Sequence, residues 1–130
     1  MRNTITFTAV IGACTLLASA ALAECRGSNG RGWGSGNGNG SFEMTQADKT
    51  CRINFPGFIF EATNTRIPAT EVQLSRAPKN GKLGVAAGKG LIYTPNPGFR
   101  GQDTFCTRNT SPDPKVRGQT LSGCITVTVR

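Results

Sequence analysis

The chain contains no histidine, one tryptophan, one tyrosine and only seven acidic residues among its 130. Without imidazole there is no Ser-His or Cys-His nucleophile pair and no histidine general base, so the commonest catalytic constellations are excluded. The same absence, together with the lack of any CxxC pair, removes the usual zinc ligand sets. Ser-Lys chemistry at Ser75 or Ser111 stays formally open, as does a carboxylate pair at Glu61 and Glu71. Neither serine lies in a recognisable motif, however, and both glutamates fall in segments that read as strand edge or loop. The acids are scattered, at Glu24, Glu43, Asp48, Glu61, Glu71, Asp103 and Asp113, with no D-x-D run. A calcium cage needs clustered carboxylates, and Asp103 is the one candidate ligand. No amphipathic helix pattern occurs after residue 23, so no glycine-rich turn leads into a helix that would cradle phosphate. These absences describe a non-enzymatic protein with no cofactor and no metal.

Long apolar runs are also missing beyond Ala23, where nothing approaches the roughly 20 residues of a membrane span. The one such run, Thr4 to Leu22, comes after a basic start at Met1-Arg2 and ends in Ala21-Leu22-Ala23, a small-x-small cleavage pattern. Residues 1–23 are therefore read as a signal peptide, and the protein as secreted or periplasmic. Ile11-Gly12-Ala13-Cys14 also fits a lipoprotein signal with Cys14 acylated. Against that, the run stays apolar after Cys14, where a tether would be polar.

The chain beyond residue 23 carries fourteen of the 15 Lys and Arg against all seven acids, a net charge of about +7. Such an excess favours anionic neighbours. For an exported chain, an envelope glycan or lipid, or a protein partner, ranks above nucleic acid. The oligomeric state is left open.

Four cysteines remain in this part: Cys25, Cys51, Cys106 and Cys124. An even number in a small exported domain reads as two disulfides. In "CITVTV", Ile125, Val127 and Val129 share one face and Cys124 lies on the other. Phe105 is the apolar member of "DTFCT", so Cys106 also faces outward. Two outward cysteines on successive strands are placed to pair across the ladder, which leaves Cys25 for Cys51.

Residues 26–41, "RGSNGRGWGSGNGNGS", hold seven glycines and one large apolar side chain, Trp33. Such a composition buries little apolar surface, so residues 24–41 are read as a flexible arm. Trp33, near Arg26 and Arg31, is the arm's candidate for stacking on a base or sugar ring. From Phe42 the pattern changes to short period-two stretches broken by turn residues every eight to twelve positions. "TCRINF", "TEVQLSRA", with Val72 and Leu74 on one face, and "GCITVTVR" are the clearest. About seven such strands in residues 42–130 predict an all-β, two-sheet antiparallel sandwich.

The runs "APKNGKLGV", "GLIYTPNPGFRGQDTFCTR" and "GCITVTVR" carry a family likeness. The matching positions are Pro78, Gly81 and Leu83, then Tyr93, Pro95, Phe99, Gly101, Asp103 and Phe105, then Thr126 to Val129. In these the chain resembles the bacterial Ig-like, or cadherin-like, repeat domains of surface proteins. The resemblance implies an Ig-like β-sandwich and a non-enzymatic binding, spacing or display role at the cell envelope. The chain departs from those repeats in having a single copy, four cysteines beyond the signal and a basic balance.

Within this frame Tyr93 and Phe105 are expected as core aromatics, with Phe99 folding over the core edge. Asp103 is expected to accept backbone N–H bonds from the Pro95–Gly101 turn. Candidate binding residues are Trp33, Arg100, Arg108, Lys115 and Arg117. The last three lie in the 108–120 loop, which is long for a hairpin and expected to be held at its base by Cys106 and Cys124. That loop supports an alternative role, a small secreted effector or inhibitor docking on a protein.

Overall fold

The alternation at the C-terminal end builds the centre of the protein. In the computed structural model, which describes residues 25–130, β9 (Gly101–Thr110) and β10 (Leu121–Val129) pair antiparallel along most of their length. Every second residue of β10 is buried, from Leu121 to Val129, and the Thr and Cys positions between them face outward. The expected signal peptide and Cys14 lie outside the described residues.

β6 (Glu71–Arg76) flanks β9, while β2 (Gly38–Met44) runs parallel to the other side of β10 and pairs antiparallel with β1 (Arg26–Ser28). The first sheet therefore has the order β1-β2-β10-β9-β6. β3 (Cys51–Ile53), β7 (Gly81–Ala86) and β8 (Gly90–Pro95) form a second sheet in the order β3-β8-β7. β4 (Gly57–Phe60) and β5 (Thr65–Pro68) make a separate hairpin. Over the described residues the fold is all-β, but the expectation of about seven antiparallel strands is corrected to ten strands in three sheets with one parallel pairing.

The two larger sheets share one core, as in a β-sandwich. Phe42, Met44, Phe105, Ile125, Val127 and Val129 come from the first sheet, and Ile53, Leu91 and Tyr93 from the second. Tyr93 and Phe105 stack across the gap, with ring centroids 6.3 Å apart. Each such side chain contributes about 1.5–3 kcal/mol of burial. Leu74, expected beside Val72 on the core face, is instead 43% exposed. β6 is an edge strand, and a register shift between Leu74 and Arg76 breaks its alternation there.

The largest correction concerns the glycine-rich segment, which is folded and not a flexible arm. Gly38, Gly40, Phe42 and Met44 are buried and alternate with exposed Asn39, Ser41 and Glu43. β2 thus has strand periodicity, but two of its core positions are glycines and carry no apolar signal. Those glycines are there for space. A Cβ on Gly38 would sit 2.3 Å from the Trp33 ring, and one on Gly123, its cross-strand partner, 2.3 Å from the Gly38 Cα. Trp33 occupies the room this creates; it is 7% exposed and its Nε1 donates to Asn29 O at 2.7 Å. The domain therefore begins by Cys25, ahead of the boundary expected at Phe42.

Cys106 and Cys124 are direct partners in the β9–β10 register and are bridged. Cys25 is bridged to Cys51 and so joins the first sheet's edge to the second. The sequence separations of 18 and 26 residues correspond to about 3 kcal/mol per bridge in the chain-entropy estimate. Two disulfides fit an oxidising environment. No described helix is long and apolar enough to cross a membrane.

Candidate anion-binding surface

The family-like positions build the core and its turns. Tyr93 and Phe105 are fully buried, and Phe99 packs partly buried against the same cluster. Asn96 to Phe99 form a turn closed by Phe99 N–H to Asn96 O at 3.0 Å, and Gln46 Nε2 donates to Phe99 O at 2.9 Å. Pro95 ends β8 and Gly101, at φ 128, starts β9.

Asp103 is 3% exposed and accepts from Lys79 N (2.9 Å), Asn80 N (3.0 Å) and Tyr93 OH (2.7 Å). Its backbone donors belong to the turn before β7, which corrects the expectation that they come from the Pro95–Gly101 turn. The pattern of a lone acid after a Pro/Gly turn is local, whereas its partners lie 23 and 24 residues upstream. With three donors on its two oxygens, Asp103 is a structural acceptor. No group of three His, Cys, Asp or Glu suited to a metal occurs among the described residues.

Tyr93 is the protein's single tyrosine. Burial first, then the hydrogen bond to Asp103 and its negative charge, push the phenol above its ordinary value. An unfolded chain releases this proton near pH 10, while the folded chain keeps it. Its contribution to stability is therefore intact below about pH 10 and is lost above it, with a limiting slope of about 1.4 kcal/mol per pH unit. In an alkaline titration, tyrosinate absorbance should appear together with loss of circular dichroism, and Tyr93→Phe should flatten the alkaline limb. Phenolate forming near pH 10 in a still-folded protein would contradict the assignment.

The expected binding residues are not all brought together. Trp33 is turned into the core and has no ring face to offer. Arg100 precedes β9 and Arg108 lies near its far end; at strand rise they are about 26 Å apart. The 108–120 loop is shorter than expected, because β9 extends to Thr110 and leaves Ser111 to Thr120 outside the ladder. The pairs Gly123–Thr107, Ser122–Arg108 and Leu121–Asn109 separate it from the Cys106–Cys124 bridge, so the bridge is not at its base. Within the loop Val116 is 1% exposed and Asp113 Oδ1 accepts from Lys115 N at 2.8 Å, while Lys115 and Arg117 are exposed.

Other polar groups are also structural. Thr107 Oγ1 donates to Asn109 Oδ1 at 2.7 Å, and Asn109 Nδ2 donates to Ala69 O at 3.2 Å. Ser111 Oγ accepts from Asp113 N at 3.1 Å, and Glu71 accepts from Thr110 Oγ1 at 3.1 Å. Ser75 and Glu61 are exposed.

A different set of cations does come together. β1 and β3 are edge strands of different sheets, tied by Cys25–Cys51 and by Asn29 Nδ2 donating to Asn54 O at 2.9 Å. Along this seam runs a cleft of ≈ 630 Å³ lined by Arg26 of β1, Arg52 of β3 and Arg66 of β5, with Asn29, Asn54 and Phe42. Among the described residues no acid lines it, and none of the three arginines forms a salt bridge. A neighbouring cleft of ≈ 370 Å³ is mixed in charge, containing Glu43 and Asp48 beside Arg26 and Arg130. There Arg130 pairs with Glu43 at 3.3 Å.

Arg66 is held in place: its Nη2 donates to Phe55 O, and its side chain lies over the bare face of Gly57, where a Cβ would come within 2.7 Å of Nε. One sequence signal does point to this cleft. Cys25 and Cys51 are each succeeded by arginine, so bridging them brings Arg26 and Arg52 to one place. Compared with protein-family models, curated proteins and solved structures, the chain has no match.

Proposed function

We propose that this chain is a non-enzymatic, Ig-like module exported to the bacterial envelope, where it binds an anionic envelope polymer through its basic surface. The observation that carries the reading is the cleft at the β1–β3 seam, lined by three arginines and by no acid among the described residues. Excess positive charge alone is compatible with a merely solvated surface. Like charges gathered in one concavity cost stability unless a counter-charge arrives. The Ig-like part of the reading rests on the sequence likeness, of whose positions Tyr93, Asp103 and Phe105 are buried.

Retention of the protein on immobilised anionic envelope glycan or lipopolysaccharide tests this reading. Saturable retention is expected at low ionic strength, falling steeply between about 0.05 and 0.3 M salt. A protein that passes through at every salt concentration would refute it.

A further inference from the structure

We propose that the cleft between β1 and β3 is a seat for one acidic sugar unit of a polysaccharide. Arg26, Arg52 and Arg66 take its anionic group, and the asparagine side of the cleft takes its hydroxyls. The inference rests on the polymer-binding reading above and specifies where, and by what chemistry, the polymer is held.

Three observations select this ligand class. The volume of ≈ 630 Å³ falls within the range of small-ligand sites and suits a sugar residue better than a flat surface does. Arginine offers a planar fork of donors that matches a carboxylate or phosphate, and Arg66 is oriented in advance by Phe55 O and Gly57. Beside the arginines the cleft is lined by Ser28 and Asn54, both exposed, whose side chains can exchange hydrogen bonds with hydroxyls. A group that donates as well as carrying negative charge answers both requirements, and a hydroxylated acidic sugar has both.

The competing polyanions fit less well. A nucleic acid strand gains much of its affinity from stacked bases, yet Phe42, the cleft's aromatic, is 7% exposed and Trp33 also 7%. A lipid surface is met by a protruding basic face with apolar anchors, whereas these arginines line a concavity.

The full, oxidised protein is titrated calorimetrically, at one ionic strength, with a hexamer of galacturonic acid. Parallel titrations use a neutral glucose hexamer, inorganic phosphate and vesicles of anionic phospholipid. The acidic hexamer is expected to bind and the neutral one not. Arg52 is exposed and forms no salt bridge among the described residues, so Arg52→Gln keeps the fold and should weaken binding about tenfold. Gly57→Ala leaves the net charge unchanged but displaces Arg66, and should weaken binding several-fold. Lys89→Gln, in the β7–β8 turn, should change it less than about twofold.

If Lys89→Gln weakens binding as much as Arg52→Gln while Gly57→Ala has no effect, the polymer sees only diffuse charge. The cleft assignment then falls and the broader reading stands. Equal binding of the neutral hexamer, or phosphate alone binding as tightly as the acidic hexamer, also overturns the assignment. Vesicle binding without hexamer binding overturns it in favour of a lipid surface. Absence of binding to every anionic probe overturns both proposals.

Discussion

Replacing Trp33 with alanine is expected to cost about 3–5 kcal/mol of stability, a large share of what a domain of this size has. The indole is 7% exposed, donates to Asn29 O and fills the space over Gly38, whose backbone in turn packs on Gly123. Truncation leaves a cavity that neighbours cannot close, because the β2–β10 ladder fixes both glycines in register. Urea unfolding monitored by circular dichroism measures the loss. In the wild-type protein this single tryptophan should emit as a buried indole, and its emission should not move when polymer binds. A loss below about 1 kcal/mol with abolished polymer retention would return Trp33 to the binding surface.

Asp103→Ala is expected to cost about 4 kcal/mol, because it deprives three donors of their acceptor at once. One of them, the Tyr93 hydroxyl, is buried, and the two amides sit at the turn that starts β7. Asp103→Asn should recover part of the loss, since its amide keeps one acceptor oxygen but turns an NH2 toward donors. Polymer binding by the folded fraction of either variant should match wild type. A cost within about 1 kcal/mol for Asp103→Ala would show that the turn finds other acceptors.

How far the fold is legible in the sequence depends on whether a residue's role is written in its own side chain. β9 and β10 are readable because Phe105, Ile125, Val127 and Val129 alternate with polar residues. The same alternation places Cys106 and Cys124 on the outward face, where they are bridged. β2 is hidden because Gly38 and Gly40 hold core positions by being small. Composition alone reports them as linker, although a Cβ at Gly38 would collide with Trp33 and one at Gly40 would be crowded by Asn29 and Ile125. The 108–120 loop looks free because prolines mark irregular backbone, yet Val116 anchors it in the core.

The basic site is hidden for a different reason. Arg100, Arg108, Lys115 and Arg117 stand out along the chain, but charge converges in space only where the topology folds it together. That happens at Arg26 and Arg52, and the clue is their identical placement after Cys25 and Cys51.

The parallel pairing of β2 with β10 also constrains the order of events during synthesis. β10 is the last strand of the described chain and the middle strand of the five-stranded sheet, with β2 on one side and β9 on the other. A growing chain that has made β1 and β2 has no central strand for them to join. β6 and β9 likewise remain without their scaffold until residues 121–129 appear. The core cannot form piecemeal from the N-terminus, and Gly38 meets Gly123 only across a closure of some 85 residues. Such long-range closure slows folding. An incomplete chain lacks the strand on which both halves of the five-stranded sheet assemble.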